Sequence, residues 1–387
     1  MQMKSSHCRA CGSGELTLVH DFGPQPLAGH FPLVPEREEP AARYPLDLTQ
    51  CTRCGLLQVT NLPPIETVFH ADYRYSSSTV PDLVRHFEGY ADWLVTHVTG
   101  AAPVLEFGCN DGVLLAQLTR RGLACTGIDA SDNMAALARG KGLDVRTGFL
   151  TPKLVEQEGL AGRFGLVTCS NVFAHIPDLS TTLQAIRLLL RPHGHFAVEV
   201  HDGRILAEEA QFDTIYHEHL TYFTAETLRS LLERNGFRCV AVERTAMHGG
   251  GLRMLAQRTP EAIGVSTSAR PAMIDGSVFA NSVARCRADL SDLITRYGPI
   301  DGYGAAGRAQ MFVNIVGGGA QFAQVFDDSP FRQGRFVVGT DIPIRAWSGD
   351  GGRCCAILAW NYAPGIAARL KGHYERVVTL LPTLRDW

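Results

Sequence analysis

Between about residues 80 and 255, short apolar runs alternate with amphipathic helical segments, and this alternation restricts the fold more than any other feature of the chain. The apolar runs include VLEFG at 104–108, FGLVTCS at 164–170 and HFAVEV at 195–200. Strands that alternate with helices build a mainly parallel sheet, because each helix carries the chain back across one face of that sheet. The sequence therefore predicts an α/β fold with a doubly wound sheet in the middle of the chain.

A second alternation of the same kind begins near residue 299. The run GYGAAG at 302–307 opens it, and FAQVF follows at 322–326. We expect these runs to form a smaller Rossmann-like domain. The segment at 277–298 has the length and the apolar spacing of a helix that connects the two sheets.

Four of the eleven cysteines form two Cys-x2-Cys pairs, Cys8 with Cys11 and Cys51 with Cys54. Each pair presents two thiolates to one ion, so together they complete a closed tetrahedral zinc site. The alternative is four unrelated buried cysteines. Because a closed site leaves no coordination position for a substrate, the zinc is expected to be structural and to stabilise a lobe too small to fold alone.

The composition is that of a globular protein long enough for two or three domains, with 387 residues and 45% hydrophobic residues. A net charge of −3 gives no electrostatic reason to expect nucleic acid or an anionic membrane as a partner. The N-terminal residues lack the apolar core of a signal peptide, and no apolar run approaches the length of a membrane span. We therefore expect a cytoplasmic protein.

The loop after the first central strand has the features of a cofactor site. Gly108 and Gly112 let the backbone approach a ligand, and Asp129 ends the next strand, where a carboxylate binds ribose hydroxyls in nucleotide-binding sheets. The loop lacks the G-x-G-x-x-G spacing, and its E-x-G-x-x-x-G pattern resembles motif I of class I S-adenosylmethionine (SAM) methyltransferases. A nucleotide fold that binds another ligand is the alternative. The resemblance implies contacts from Glu106, Gly108, Asn110 and Gly112 to the methionine part, from Asp129 to the ribose, from Phe149 to the adenine, and from Ser170 and Asn171 to the sulfonium.

The order of motifs along the whole chain resembles one family. The cysteine pairs, the SAM loop, SNVFAHIPD at 170–178, FDTIYHEHLTYF at 212–223, HGGGLR at 248–253 and GYGAAGRAQ at 302–310 follow each other as in the sugar C-methyltransferases, which add methyl branches to nucleotide-linked keto-deoxysugars. The resemblance spans roughly residues 8 to 380. It implies a zinc-binding lobe at 1–75, a SAM-binding methyltransferase domain at 76–258 and a Rossmann-like domain at 259–387, with SAM and structural Zn²⁺ as cofactors.

Methylation of carbon requires a base, because a sugar C–H becomes nucleophilic only after deprotonation next to a ketone. The segment at 212–224 follows the fifth strand and precedes a helix with Thr224 as a predicted N-cap, so it lies at the carboxyl edge of the sheet, where ligands bind. The predicted catalytic residues are His219 as base, Glu218 as an alternative base or a group that orients an imidazole, Tyr216 as a donor to the ketone, His175 in the same cavity, and Tyr75 or its neighbour Tyr73. A metal bound by His217 and His219 is the less favoured alternative.

The C-terminal G-x-G-x-x-G at Gly302, Gly304 and Gly307 would alone suggest NAD, a cofactor with no use in SAM chemistry. Two interpretations stay open: a fold that closes the active site, or a cradle for the pyrophosphate of a nucleotide sugar, charged by Arg308 and Arg332. The loop departs from the family pattern, which has Lys-Gly where this chain has Arg308 and Ala309. The glycine-rich run at 247–253 is predicted to form a wall of the substrate cleft, with His248 and Arg253 as polar contacts to the substrate.

These features predict a SAM-dependent C-methyltransferase that acts on a nucleotide-linked, dTDP-type 4-keto-deoxysugar in a natural-product pathway. The alternatives are an O- or N-methyltransferase for a small natural product and a non-catalytic protein that binds a nucleotide sugar. The sequence leaves open methylation at C3 or C5, the choice between His219 and Glu218 as the base, and a monomer or a homodimer.

Overall fold

The computed structural model describes residues 3–63, 76–98, 100, 103–264 and 271–387. Tyr73 and Tyr75, both predicted to lie at the active site, fall outside the described residues. No helix in these ranges is long and apolar enough to cross a membrane.

The N-terminal lobe is built from short antiparallel strands around the cysteine pairs. Its strands are β1 (Met3–Lys4), β2 (Leu16–Gln25), β3 (Tyr44–Cys51), β4 (Leu57–Val59) and β5 (Asn61–Leu62). Strands β2, β3 and β4 form one antiparallel sheet, and β1 pairs with β5. The long connection between β2 and β3 is the insertion that separates the two cysteine pairs, and it includes Gly29.

The central domain contains the doubly wound sheet. Its strands are β6 (Val104–Phe107), β7 (Cys125–Asp129), β8 (Val145–Thr147), β9 (Phe164–Ser170), β10 (Leu190–His201), β11 (Thr221–Tyr222), β12 (Phe237–Thr245) and β13 (Gly251–Arg258). Its helices are α1 (Pro81–His97), α2 (Val113–Arg120), α3 (Asp132–Gly140), α4 (Pro152–Gln157), α5 (Leu179–Leu189), α6 (Gly203–Glu208) and α7 (Ala225–Arg234).

Seven of these strands form one sheet in the order β12-β13-β10-β9-β6-β7-β8. Strands β6 to β10 run parallel, and β13 is antiparallel to both of its neighbours. All residues of β9 are buried, as expected for a parallel strand covered on both faces by helices. The strand order reverses between β6 and β9, and a crevice forms at their carboxyl ends. The predicted class I methyltransferase fold is thereby confirmed.

Strand β11 leaves the central domain and extends the sheet of the N-terminal lobe. It pairs antiparallel with β4, with Thr221 opposite Gln58 and Tyr222 opposite Leu57. The residues just before it, at 212–219, are those predicted to carry the catalytic side chains. One end of that segment is therefore held by the lobe.

The C-terminal domain is a smaller doubly wound sheet. It comprises α8 (Ser277–Tyr297), β14 (Ile300–Tyr303), α9 (Gly307–Val316), β15 (Phe322–Phe326), β16 (Ile344–Arg345), β17 (Cys354–Ile357), α10 (Ala363–Leu370), β18 (Arg376–Thr379) and β19 (Arg385–Asp386). The order is β16-β15-β14-β17-β18-β19, and every pair is parallel except the last. This is a Rossmann-like arrangement, and helix α8 is the predicted connecting helix.

One hydrophobic core joins the lobe to the C-terminal domain around residues 212–219, which are called the catalytic segment because the predicted catalytic side chains lie there. It includes Leu48 of the lobe, Phe212 of the segment, and Phe279 and Phe312 of the C-terminal domain. The rings of Phe212 and Phe312 stack with their centroids 5.9 Å apart. The catalytic segment is thus packed against both flanking domains.

Candidate active site

A cavity of about 380 Å³ lies at the carboxyl ends of β6 and β9. The predicted cofactor residues that line it are Glu106, Gly108, Asn110, Asp129, Phe149, Ser170 and Asn171. Gly112 is not among the lining residues. It has a φ of +81° at the start of α2, and a Cβ atom there would lie 2.3 Å from Leu143 Cδ1. The structure therefore corrects the prediction for Gly112. Its role is the close packing of the helix, and it is not among the cavity residues that could contact the cofactor.

The polar groups of this cavity fit SAM. The Oε2 atom of Glu106 is buried without a partner among the described residues, and burial raises the pKa of this carboxyl well above its usual value, with a further contribution from Asp129. An ammonium group such as that of SAM would satisfy this oxygen. A Cβ atom at Gly108, where φ is +64°, would lie 2.2 Å from Val172, so only glycine allows this approach. SAM supplies an electrophilic methyl group when it is bound.

Asp129 is held in place by the backbone. Its two carboxylate oxygens accept hydrogen bonds from the amides of Asn110 at 2.7 Å and Ser131 at 2.8 Å. These bonds orient the carboxylate at the cavity wall, where its remaining lone pairs can accept from a ribose diol. Phe149 lines the cavity, and 56% of its surface is exposed. This position suits a side chain that packs against an adenine.

The segment that follows the lobe is attached to the SAM loop. Asp111 accepts hydrogen bonds from the hydroxyls of Ser76 and Ser78, and Asn110 Oδ1 accepts one from the amide of Ser77 at 2.9 Å. Ser77 itself lines the cavity. The contacts of Ser76 and Ser78 with Asp111 were not predictable, because nothing local links residues so far apart along the chain.

His219 is a neutral imidazole with a defined tautomer. Its Nδ1 lies 2.8 Å from the carbonyl oxygen of Thr214, so Nδ1 carries the proton, and Nε2 accepts a hydrogen bond from the hydroxyl of Tyr216 at 2.7 Å. Burial lowers the pKa of His219 well below its usual value, and the nearby His175 lowers it further. The arrangement presents an unprotonated nitrogen at neutral pH.

His175 connects this imidazole to the SAM cavity. It lines the cavity, and its ring centroid is 4.9 Å from that of His219. Its Nδ1 donates to the main-chain carbonyl of Glu218 at 2.6 Å. The main chain of Glu218 therefore orients the His175 imidazole, whereas the role predicted for its side chain stays a prediction.

The carboxyl group of Glu218 faces the N-terminal lobe. Its Oε1 accepts a hydrogen bond from the amide of Gly29 at 2.8 Å, and its Oε2 is buried without a partner among the described residues. Burial raises the pKa of Glu218 to about 6. The side chain anchors the inserted loop of the lobe, and the structure shows no contact between it and the His219 imidazole.

His217 also faces the lobe. It is fully buried, and its Nε2 lies 3.2 Å from the carbonyl oxygens of Tyr44 and Pro45. Among the described residues, the only group of histidine, cysteine and acidic side chains that could hold a metal is the cysteine cluster. The placement of His217 thus argues against the His-x-His metal alternative.

The four cysteines form the predicted zinc site. The sulfur atoms of Cys8, Cys11, Cys51 and Cys54 all lie within 4.8 Å of one another. The pairs Cys8–Cys54 and Cys11–Cys51 are 3.5 and 3.6 Å apart. A tetrahedral zinc with bonds of about 2.3 Å would space its sulfurs by roughly 3.8 Å. The cluster therefore fits a closed structural zinc.

Both arginines predicted to bind a pyrophosphate are instead in buried ion pairs, which corrects the predicted arrangement. Arg308 forms a two-point contact with Asp213, with both distances 2.9 Å, and Trp360 Nε1 donates to the same carboxylate at 2.9 Å. Arg332 pairs with Asp327 at 3.1 Å. The charge of each arginine is balanced by a buried carboxylate of the protein, and that carboxylate in turn needs a positive partner.

Arg253 also has an internal partner, since it donates to Glu199 Oε2 at 2.5 Å deep in the central domain. Glu199 further contacts His86 at 2.9 Å and accepts from the hydroxyl of Ser170 at 2.7 Å. Although burial opposes ionisation, His86 and Arg253 lower the pKa of Glu199 to about 2. Arg253 thus acts on the SAM cavity through Glu199 and Ser170, which corrects its predicted contact with substrate.

His248 lies where a polar contact was predicted. It lines the cavity, and its Nδ1 is 3.2 Å from the hydroxyl of Tyr362, which belongs to the C-terminal domain. Burial lowers the pKa of His248 to about 4, helped by the charge of Arg308. The site residues that sequence reasoning missed are His86, Asp111, Glu199, His201, Asp213, Trp360 and Tyr362. Asp111 and Asp213 lie inside motifs that the sequence analysis identified, but nothing in those motifs shows their partners. The other five are single side chains outside the motifs.

Three family models match successive parts of the chain. A zinc binding domain matches residues 8–69, a methyltransferase domain matches residues 88–242, and a C-methyltransferase C-terminal domain matches residues 246–382. Their order is the order predicted from the motifs.

Similar proteins include C-methyltransferase NovU of Streptomyces niveus, which is 31% identical over 400 residues that cover 95% of this chain and 93% of the relative. A ubiquinone biosynthesis O-methyltransferase of Acinetobacter baylyi is 30% identical over 110 residues, 27% of this chain and 46% of the relative. Among solved structures, the PH0226 protein of Pyrococcus horikoshii matches 50% of this chain and 98% of its own, at 17% identity and a TM-score of 0.42.

Proposed function

The chain belongs to the C-methyltransferase family that its motif order resembles, and from this premise we propose that it methylates a ring carbon of a nucleotide-linked 4-keto-deoxysugar. It is a SAM-dependent C-methyltransferase. The proposal concerns the substrate, its dTDP carrier and a place in antibiotic or related natural-product biosynthesis. An O- or N-methyltransferase is disfavoured, because the O-methyltransferase relative matches only 27% of this chain.

The observation that carries the proposal is the hydrogen-bonded pair of His219 and Tyr216 next to the SAM cavity. A carbon acid next to a ketone needs a base, and a positioned base typically contributes about 10²–10⁴-fold. His219 Nε2 is the candidate, because the Thr214 carbonyl fixes the proton on Nδ1. When Nε2 takes the proton, the C–H electron pair moves to the neighbouring carbonyl and gives an enolate.

Tyr216 supports the choice of a ketone. Its hydroxyl donates to Nε2 at 2.7 Å, and a substrate C–H at the base would take the place of this hydroxyl. The phenol O–H is then available for the ketone oxygen, on which negative charge develops. A Cβ atom on Gly307 would lie 3.7 Å from the Tyr216 hydroxyl, so this side of the site is closed by the first residue of α9.

The same geometry separates the two candidates for the base, His219 and Glu218. Glu218 lies beside His219 in sequence, but its carboxyl group bonds to Gly29 of the lobe and has a raised pKa of about 6. We therefore assign the base to His219 and give Glu218 the role of holding the lobe against the site.

Hydrogen exchange tests the proposal. The enzyme is incubated in D2O with dTDP-4-keto-6-deoxyglucose, with and without SAM or its demethylated product. We expect deuterium next to the ketone, and with SAM the mass of one added CH2 group at a carbon. Methyl transfer to oxygen or nitrogen, or binding without exchange, would overturn the proposal.

A further inference from the structure

His201 is the last residue of β10, at the same carboxyl edge of the sheet as the candidate active site. Its Cα pairs across the ladder with Gly251, the first residue of β13. His248 lies in the turn just before β13, and its charge acts on His201, so the two histidines are near each other at this edge. The motif of residues 212–223 does not include His201, and it had no role in the reaction described above.

Four histidines from four segments contribute to this edge: His175 and His248 line the cavity, the ring centroid of His219 is 4.9 Å from that of His175, and His201 ends β10. Three of them have a ring nitrogen in a hydrogen bond described above. The Nε2 of His201, by contrast, is buried and has no hydrogen-bond partner among the described residues. Buried polar atoms nearly always have a partner, so this nitrogen requires an explanation.

The surroundings of His201 keep its ring neutral. Burial lowers the pKa of His201 to about 3, and the charges of Arg308 and His248 contribute, whereas a hydrogen bond between the ring and the Gln211 side chain favours the protonated form. His201 in turn acts electrostatically on His219. A neutral imidazole nitrogen at this point either donates or accepts one hydrogen bond, according to its tautomer. Its environment is that of the reacting groups and not that of the apolar core.

We propose that His201 is a substrate-binding residue whose Nε2 hydrogen-bonds an oxygen of the ketosugar beside His219 and His248. The inference rests on the proposed function, which puts a ketosugar between the SAM cavity and His219. A ring hydroxyl or the ketone oxygen would satisfy the nitrogen, and both belong to the same substrate class. His201 would then select for an oxygen at that position, because a substrate that lacks it leaves Nε2 unpaired.

Two variants test the role of the nitrogen. His201→Phe keeps a ring of similar size but has no polar atom, and His201→Gln keeps an amide at about the reach of Nε2. The dissociation constant of dTDP-4-keto-6-deoxyglucose is measured by calorimetry in the presence of demethylated SAM, and that of SAM is measured alone. We expect His201→Phe to raise the dissociation constant of the sugar nucleotide by about three- to ten-fold. His201→Gln should recover most of the affinity, and SAM binding should be the same in all three proteins.

Different changes in affinity and stability are expected if the substrate makes no contact with Nε2. If the substrate does not use Nε2, then His201→Phe removes a buried unsatisfied group, raises the melting temperature and leaves the affinity for the sugar nucleotide unchanged. That outcome overturns the inference while the exchange reaction of the wild type still supports the proposed function. Failure of the wild type to bind the sugar nucleotide overturns the substrate class, and the inference falls with it. A fall in SAM affinity equal to that for the sugar would assign His201 a structural role instead.

Discussion

At the scale of single residues, the proposed chemistry depends on which nitrogen of His219 carries the proton. The carbonyl of Thr214 accepts from Nδ1, and this leaves the lone pair of Nε2 on the side of Tyr216. Because the pKa of His219 is lowered, the ring needs no deprotonation before it acts as a base. Activity that depends on His219 should therefore not be lost as the pH falls from 8 towards 6.5, the ordinary pKa of histidine.

Replacing His219 by glutamine is expected to remove the base while keeping the shape of the side chain. Deuterium exchange next to the ketone should fall by about 10²–10⁴-fold. The dissociation constant of SAM should change by less than about two-fold, since His219 does not line the SAM cavity. His97→Gln, at an exposed position on α1, is the matched control and should retain exchange. Loss of SAM binding in His219→Gln would point to a structural role.

The carboxyl group of Glu218 predicts a pH-dependent stability. Its pKa is raised from 4.5 to about 6, so the neutral form stabilises the fold below pH 4.5, and this contribution is lost as the pH rises through 6. A shift of this size corresponds to about 2 kcal/mol. Relative to the wild type, Glu218→Gln should therefore gain about 2 kcal/mol in the free energy of unfolding between pH 4 and pH 7.5. Urea titrations of both proteins at the two pH values measure this. If the free energies of unfolding of the two proteins differ by the same amount at pH 4 and pH 7.5, the raised pKa of Glu218 is refuted.

Residue types in motifs were predictable, and isolated partners were not. The sequence pointed to Tyr216 and His219 through the motif at 212–223, and to His175 through the motif at 170–178, each of which follows a strand. It misassigned Arg308 because the partner, Asp213, is 95 residues away and becomes visible only when α9 packs on the catalytic segment. His201 was missed because a lone histidine at a strand end has no pattern to distinguish it from a structural residue.

At the scale of elements, the ion pair between Arg308 and Asp213 fastens α9 to the catalytic segment. Asp213 is fully buried, and Arg308 is 14% exposed. Removal of one partner from a buried pair typically costs about 3–5 kcal/mol, because the other charge is left uncompensated. Arg308→Met should therefore lower the free energy of unfolding by about this amount, as measured by urea denaturation.

Two further variants control that experiment. Arg308→Lys keeps the charge that the family pattern has at this position and should lose less stability than Arg308→Met. In the double variant with Asp213→Asn, the uncompensated charge is gone, so its loss should be smaller than that of Arg308→Met alone. If all three variants lose the same stability, the pair does not fasten the two elements.

The start of α7 and the extent of α8 were predicted from the sequence, whereas the two-residue strand β11 was not. The N-cap predicted at Thr224 is confirmed, with Thr224 and Thr227 forming a reciprocal capping box at the start of α7. Helix α8 has the predicted extent to within one residue. Strand β11, by contrast, has only two residues, too few for a period of alternation, and its pairing with β4 is decided by the packing of the lobe.

At the scale of the molecule, the zinc is predicted to control catalysis more than cofactor binding. Among the described residues, none of 3–63 lines the SAM cavity, whereas Gly29 and β4 contact the catalytic segment. Removal of the metal with a chelator should unfold the lobe and release these contacts. Methyl transfer should then fall by at least about ten-fold, the gain expected from positioning a catalytic group, while the affinity for SAM changes by less than about three-fold.

Metal content by mass spectrometry, methyl transfer and SAM calorimetry on the same samples check this expectation. Added zinc should restore the activity. Parallel loss of SAM affinity and methyl transfer would show that the lobe supports the whole central domain and not the catalytic segment. The three-domain order was predictable because each domain has its own motif. The contacts between domains were not, because they join residues on separate motifs.

The pairing of β11 with β4 also bears on how such enzymes can be recombined. The boundary between the lobe and the central domain runs through residues 212–224. His175 of the central domain contacts the main chain of Glu218, whereas the Glu218 side chain, Thr221 and Tyr222 contact the lobe. A chimaera that exchanges only residues 1–75 with a relative would cut this pairing and the contact of Glu218 with Gly29. The lobe and the segment from 212 to 224 form one transferable unit, although some 150 residues of chain separate them.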